Sequence, residues 1–204
     1  MIRVHSTKAS VNGYKVRMLL SMLKLPYELV ELDMYTGEHK REPFLSLNPF
    51  GQMPALTDGA YTIADSHACL VYVARKYDAS GRWLPADAEG EAKVAEWLSK
   101  SANEVHQGPW MKRAKIRRPD AIKLPDEEID ARCDHILRIM DAHLAKRDWL
   151  ALDRATIADV SCFGPISILK ICGYDTDKWP HVTRWLNRVR ALPGAHDLDG
   201  NPFA

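Results

Sequence analysis

No apolar run in this chain approaches the roughly 20 residues that a membrane-spanning helix needs. Met1 to Lys8 lacks the apolar core of ~7–15 residues that marks a secretory signal, so a cytoplasmic setting is expected. Charge of one sign is missing too. The formal net charge is +1, which gives no bulk attraction to nucleic acid or to an anionic membrane. The four cysteines, Cys69, Cys133, Cys162 and Cys172, contain no Cys-x-x-Cys pair. That excludes a local dithiol redox motif and a compact zinc site. Each lies in an apolar, helix-like segment, where a buried free thiol is expected. Any thiol chemistry is then expected to belong to a ligand. There is no internal repeat and no low-complexity tract.

What is present is an ordinary globular composition, 46% hydrophobic and 27% charged over 204 residues, enough for one or two domains. The densest local information lies in residues 48–66. Asn48-Pro49-Phe50-Gly51 is turn chemistry. Pro54 opens the apolar pair Ala55-Leu56, and Tyr61-Thr62-Ile63 follows across Asp58-Gly59, a hairpin signal. The Met53–Pro54 bond is a candidate cis peptide that would turn the Met53 amide and carbonyl outward. Asp65-Ser66 reads as a helix N-terminus, whose free N–H groups and partial positive charge suit a carboxylate.

Taken in order, Ile2 to His5 is a short strand. The segment Gly13 to Lys24 is a helix with Val16, Leu19, Leu20 and Leu23 on one apolar stripe. Pro26 ends it, and Tyr27 to Leu32 alternates like a strand. This is the size of a βαβ unit. Residues 43–47 form a short helix, and the hairpin 54–63 and helix 66–77 complete a β-α-β-α-β-β-α order. Residues 79–88 read as a linker, within which Trp83 and Leu84 are expected to fill a hydrophobic pocket between domains.

Beyond residue 88 only helical signals remain. Val94, Trp97, Leu98, Ser101 and Val105 define one face, broken at Gly108-Pro109. Ile129, Cys133, Ile136, Leu137, Met140 and Leu144 define a second. Thr156-Ile157-Ala158-Asp159 has the form of a capping box ahead of a buried helix, and Trp179-Pro180 starts the last one.

Gly37-Glu38-His39-Lys40, the run Phe44 to Leu56, and Asp65-Ser66 together resemble the glutathione-binding half of a cytosolic glutathione S-transferase. Ser10-Val11-Asn12-Gly13-Tyr14-Lys15-Val16 resembles the Ser/Thr-x-Asn-Gly-x-Lys loop of bacterial transferases of the Nu and related types, and the serine-bearing loop of the phi and theta classes. The resemblance implies a thioredoxin-like domain over residues 1–78, a linker 79–88 and an all-helical domain 89–204. It gives the Thr156 to Asp159 segment a structural, nucleating role.

The resemblance also implies glutathione as co-substrate, no metal, and a homodimer. Ser10 becomes the hydroxyl facing the glutathione thiol and Asn12 a second donor. The plain alternative for both is capping of the first helix. Tyr14 and Ser6 are outside candidates for the same task. Met53, beside Pro54, would pair its main chain with the cysteinyl unit. Asp65 and Ser66 would hold the γ-glutamyl end, and His39, Lys40 and Gln52 the glycyl carboxylate. No role falls to His67. Trp110 and Arg113 are candidates for a second, electrophilic or hydrophobic substrate held between the domains.

A thiol near pKa ~8.5 is only a few per cent ionised at neutral pH. Lowering that by about two units takes roughly 2.7 kcal/mol of preferential stabilisation, within reach of one hydroxyl plus helix N-terminal amides. The implied activity is detoxifying transfer of glutathione to an electrophile. Open alternatives are glutathione-dependent disulfide or peroxide reduction, and a non-catalytic ligand-binding or assembly module. The double-serine motif of glutathione-dependent isomerases is absent.

Overall fold

The computed structural model describes residues 1–203. The chain forms two compact units: Met1–Gly81 with the tail from Leu192 onward, and Arg82–Ala191. The tail therefore belongs with the first unit, whereas the sequence pattern assigns it to the helical domain 89–204. The reason lies in main-chain acceptors. The Tyr14 hydroxyl donates to the His196 carbonyl, and the Arg17 guanidinium donates to the Leu198 carbonyl at 3.0 Å.

In the first unit, β1 (Ile2–Ser6), α1 (Val11–Met22) and β2 (Tyr27–Glu31) make the expected βαβ unit. A 3-10 turn at Glu38–Lys40 and the short helix α2 (Phe44–Leu47) lead to β3 (Ala55–Asp58), β4 (Tyr61–Ala64) and α3 (Ser66–Tyr77). The sheet order is β2-β1-β3-β4, with β1 parallel to β2 and antiparallel to β3. This is the thioredoxin-like arrangement. Helix α1 starts two residues earlier than expected, with Ser10 as its N-cap. It is also buried well beyond one apolar stripe: Lys15 and Arg17 are each only 3% exposed.

The second unit is all helical, with α4 (Ala88–Ala102), α5 (Met111–Arg117), α6 (Asp126–Leu144), α7 (Ile157–Ser167) and α8 (Pro180–Arg190). The break expected at Gly108-Pro109 is a π-helical turn, His106–Trp110, that runs directly into α5. A β-carbon on Gly108 would meet the Cys133 amide nitrogen at 2.9 Å, so glycine lets this turn pack on the backbone of α6. All six residues of the expected α6 face are buried. The capping box at Thr156 and Asp159 is formed. Asp159 is fully buried and accepts from the Leu150 and Thr156 amides and from Trp185 Nε1 at 2.9–3.0 Å. Trp83 and Leu84 are buried, and the Trp83 carbonyl accepts from the first amide of α7. Among the described residues no helix is long and apolar enough to cross a membrane.

Candidate active site

Strand register decides which loops meet. His5 pairs with Ala55, Ala55 with Ala64, and Ser6 with Glu31. One edge of the sheet therefore collects the ends of β1, β2 and β4 and the beginning of β3. The loop to α1 with Ser10 and Asn12 leaves from that edge. So does the connection from β2 that carries His39 and Lys40. Gln52, Met53 and Pro54 enter there, and Asp65 and Ser66 leave from it into α3. All nine residues expected to handle glutathione are thus assembled at one end of the first unit, although they are spread over 57 positions of sequence.

The Ser10 hydroxyl accepts a hydrogen bond from the Gly13 amide at 3.1 Å and so caps α1. A hydroxyl has one donor and two acceptor sites, so capping leaves its proton available. Ser10 and Asn12 are both half-buried. The loop that carries Ser10 is tied down on one side by Glu31. That carboxylate accepts from the Thr7 hydroxyl at 2.7 Å and the Lys8 amide at 2.9 Å. Tyr14 points elsewhere: it is buried and its hydroxyl is spent on the His196 carbonyl. Ser6 is fully buried under Gly13, and its hydroxyl has no hydrogen-bond partner.

The Met53–Pro54 bond is cis, as is Glu42–Pro43. Met53 lies two residues ahead of Ala55, the first paired residue of β3. The turn before it is organised by Asn48, whose place in the sequence signals a turn. Buried Asn48 donates from Nδ2 to the Gln52 carbonyl at 2.6 Å and accepts the Phe50 amide at 3.1 Å. Its position ahead of Pro49-Phe50-Gly51 was the available signal. Gly51 has φ +57°, and a β-carbon there would lie 2.9 Å from the His39 carbonyl oxygen. Lys40 Nζ reaches the Phe50 carbonyl at 3.4 Å. His39, Lys40 and the Asn48–Gln52 turn therefore form one packed group.

Asp65 caps α3 through Oδ1, which accepts the His67 amide at 2.8 Å and the Ala68 amide at 3.1 Å. Its backbone, at φ +78° and ψ 132°, occupies a sparsely populated region that costs about 1–3 kcal/mol for a residue other than glycine. Strain of this kind collects at functional sites. Ser66 is buried in the first turn of the same helix. His67, given no role from sequence, links this helix start to α1: its Nε2 is 3.4 Å from Lys15 Nζ, and its Nδ1 is 3.9 Å from Asp65 Oδ1.

Burial disfavours the thiolate at three of the four cysteines. All four cysteines are free and buried. Burial pushes the Cys69 and Cys133 thiols up to about 12. It also raises Cys172.

Trp110 and Arg113 lie in the second unit. Trp110 closes the π-helical turn and stacks on His106 with ring centroids 4.1 Å apart, and Arg113 follows in the first turn of α5.

Comparisons with known proteins identify the family. The N-terminal domain of glutathione S-transferases matches residues 3–75, and the C-terminal domain matches residues 118–193. Glutathione S-transferase 3 of Zea mays is 34% identical over 168 residues, covering 78% of this chain and 74% of that protein. The chain belongs to the glutathione S-transferase family. A possible glutathione S-transferase from Rhodopseudomonas palustris has a similar structure. Its TM-score is 0.87 at 29% identity, over 100% of this chain and 92% of that one. The transferase URE2P6 of Phanerochaete chrysosporium was solved in complex with oxidized glutathione. It superimposes with a TM-score of 0.84 at 27% identity, over 95% of this chain and 92% of that one. In this transferase the family's N-terminal domain match holds every residue expected at the glutathione site.

Proposed function

We propose that this transferase binds glutathione at the shared edge of its sheet and stabilises the glutathione thiolate with the Ser10 hydroxyl, for attack on an electrophilic small molecule. One observation carries the reading: Ser10 stands at the N-terminus of α1 with its lone pair engaged by the Gly13 amide and its proton free to donate. An accepted hydrogen bond orients the hydroxyl, and the helix dipole adds to it in stabilising a nearby anion. Asn12, two residues on, supplies a second donor. The strained, capped start of α3 suits the γ-glutamyl end, with the helix N–H groups for the carboxylate and Asp65 for the ammonium. His39, Lys40 and Gln52 meet the glycyl carboxylate. The Met53 main chain, ahead of its ladder, pairs with the cysteinyl unit. Trp110 and Arg113 are our candidates for the second substrate. An aromatic ring beside a guanidinium suits an electrophile with a flat apolar body and negative charge. A homodimer follows from family membership and is tested by light scattering.

The reaction has few parts. Binding removes the translational cost of bringing thiolate and electrophile together. The sulfur attacks the electrophilic carbon, the leaving group departs with the bonding pair, and no enzyme-bound covalent intermediate forms.

Calorimetric titration with glutathione, with thiolate absorbance read on the same samples, tests the Ser10 assignment. Ser10→Ala loses both hydroxyl and cap, the latter costing about 1 kcal/mol, whereas Ser10→Gly loses the hydroxyl at only a few tenths in capping. Equal loss of thiolate in both variants is expected. Full thiolate in Ser10→Gly would mean that Ser10 only caps the helix.

A further inference from the structure

The peptide unit of Lys8 is gripped from both sides. Its amide donates to Glu31, and its carbonyl accepts from Arg17 at 2.9 Å. Ser10 follows two residues later, and its own amide bonds back to the Thr7 carbonyl at 2.9 Å. The backbone two residues before Ser10 is therefore held by the carboxylate on one side and the guanidinium on the other.

Arg17 is itself held from behind. The same Nη2 that donates to Lys8 donates to the Leu198 carbonyl, so each of its two protons has one acceptor, one in the loop and one in the tail. The tail is a closed strap. The Asp197 carboxylate accepts from the amides of Asp199 and Asn201, and the Asp197 amide donates to the Asn201 carbonyl. It is fastened to α1 at two further points. Tyr14 bonds to the His196 carbonyl. Gly194, at φ +81°, lies so close to α1 that a β-carbon would come within 2.7 Å of the Ser21 carbonyl oxygen.

The chemistry is a poor choice for packing alone. Arg17 is 3% exposed, its Nε has no hydrogen-bond partner, and its described partners are two carbonyls and the face of Tyr14. A buried guanidinium without a carboxylate loses more hydration than it recovers, and an apolar side chain of similar volume would cost less. What an apolar side chain cannot do is join two carbonyl groups at fixed distance.

We infer that Arg17 is a positioning residue for the thiolate-stabilising hydroxyl, tying the Lys8–Ser10 loop to the C-terminal strap. The inference rests on the Ser10 assignment. Its consequence is that a contact 181 residues distant in sequence tunes the thiol chemistry. The γ-glutamyl and glycyl contacts sit on other elements and do not depend on it.

The test is a set of variants assayed for glutathione affinity, bound-thiolate fraction and kcat. In Arg17→Met, glutathione Kd stays within about threefold while kcat falls roughly ten- to hundred-fold, the order expected for sub-ångström misplacement of a reacting group. The bound thiol also titrates at higher pH. Arg17→Lys keeps the charge but not the fork and recovers only part of the loss. Gly194→Ala lifts the strap without touching the loop and shows the same pattern, which decides the matter should Arg17→Met not fold. In a Ser10→Ala background, Arg17→Met has no further effect on thiolate fraction. If Ser10→Ala depletes the thiolate while Arg17→Met and Gly194→Ala change only melting temperature, the positioning role is wrong and the Ser10 assignment stands. If Ser10→Ala leaves the thiolate intact, the Ser10 assignment fails and this inference falls with it.

Discussion

A β-carbon at Gly13 would lie 2.1 Å from the Ser6 hydroxyl oxygen and 2.9 Å from the Ser6 β-carbon. The third residue of α1 thus rests directly on the last residue of β1, which brings the helix N-terminus and the Ser10 cap down to the sheet edge. Gly13→Ala gains up to about 1 kcal/mol of helix propensity. It also incurs overpacking of roughly 1–3 kcal/mol, and the clash wins. The urea midpoint is expected to fall. Ser6→Ala removes the closer of the two contacts, so the double variant recovers part of the loss. Additive losses would show that the two residues do not press on each other.

Asp65 is expected to exchange stability for binding. Asp65→Gly relieves a φ of +78° and gives up only a few tenths of a kcal/mol in capping, so the melting temperature holds or rises. Losing the carboxylate from a charge-assisted contact weakens glutathione binding about 10- to 100-fold. Calorimetry beside thermal denaturation measures both. A variant with unchanged glutathione affinity would remove Asp65 from the site.

Asp58 contributes to the acid sensitivity of the first unit. Hydrogen bonds from Lys76 and Tyr77, with a smaller contribution from Tyr72, hold its carboxyl at about 2 against an ordinary 3.8. The unfolded chain therefore takes up this proton first. The stabilisation is complete above pH 3.8 and is lost as pH falls toward 2. In Asp58→Asn the stability–pH curve is flatter over that window than in the wild type. Parallel curves would contradict the assignment.

Asp159 is expected to be the costliest polar residue to lose in the helical unit. Burial raises its carboxyl, opposed by the donors from Thr156, Trp185 and Leu150. Asp159→Ala leaves those buried donors without an acceptor, at roughly 3–5 kcal/mol in total. Denaturant titration measures the loss. Glutathione Kd of the folded fraction, read by calorimetry, stays at the wild-type value because no glutathione contact is assigned to this unit.

Legibility tracked how local the deciding interaction was. Helix α3 was read at its observed limits because its start is written in Asp65-Ser66. The α6 face was complete in its spacing, and the α7 capping box needs only four consecutive residues. The residues expected at the glutathione site were named through a resemblance, since their grouping depends on strand register rather than on proximity in the chain. Helix α1 was started two residues late because Gly13 reads as a boundary, while its actual use is close contact with Ser6. Asn48 was seen as a turn residue but not as the buried bracket of the Gln52 segment.

The sequence by itself determined the two kinds of unit, the caps, the order of elements and the chemistry available at their ends. Periodicity, proline, glycine and capping residues act over one or two turns of chain. Tertiary structure decided that the tail closes over α1, that Tyr14 is occupied by it, and that Arg17 joins it to the loop before Ser10. Those contacts are made to main-chain carbonyls, which every residue carries. No side-chain pattern announces which carbonyl a buried donor will reach, and only the folded path of the backbone selects it.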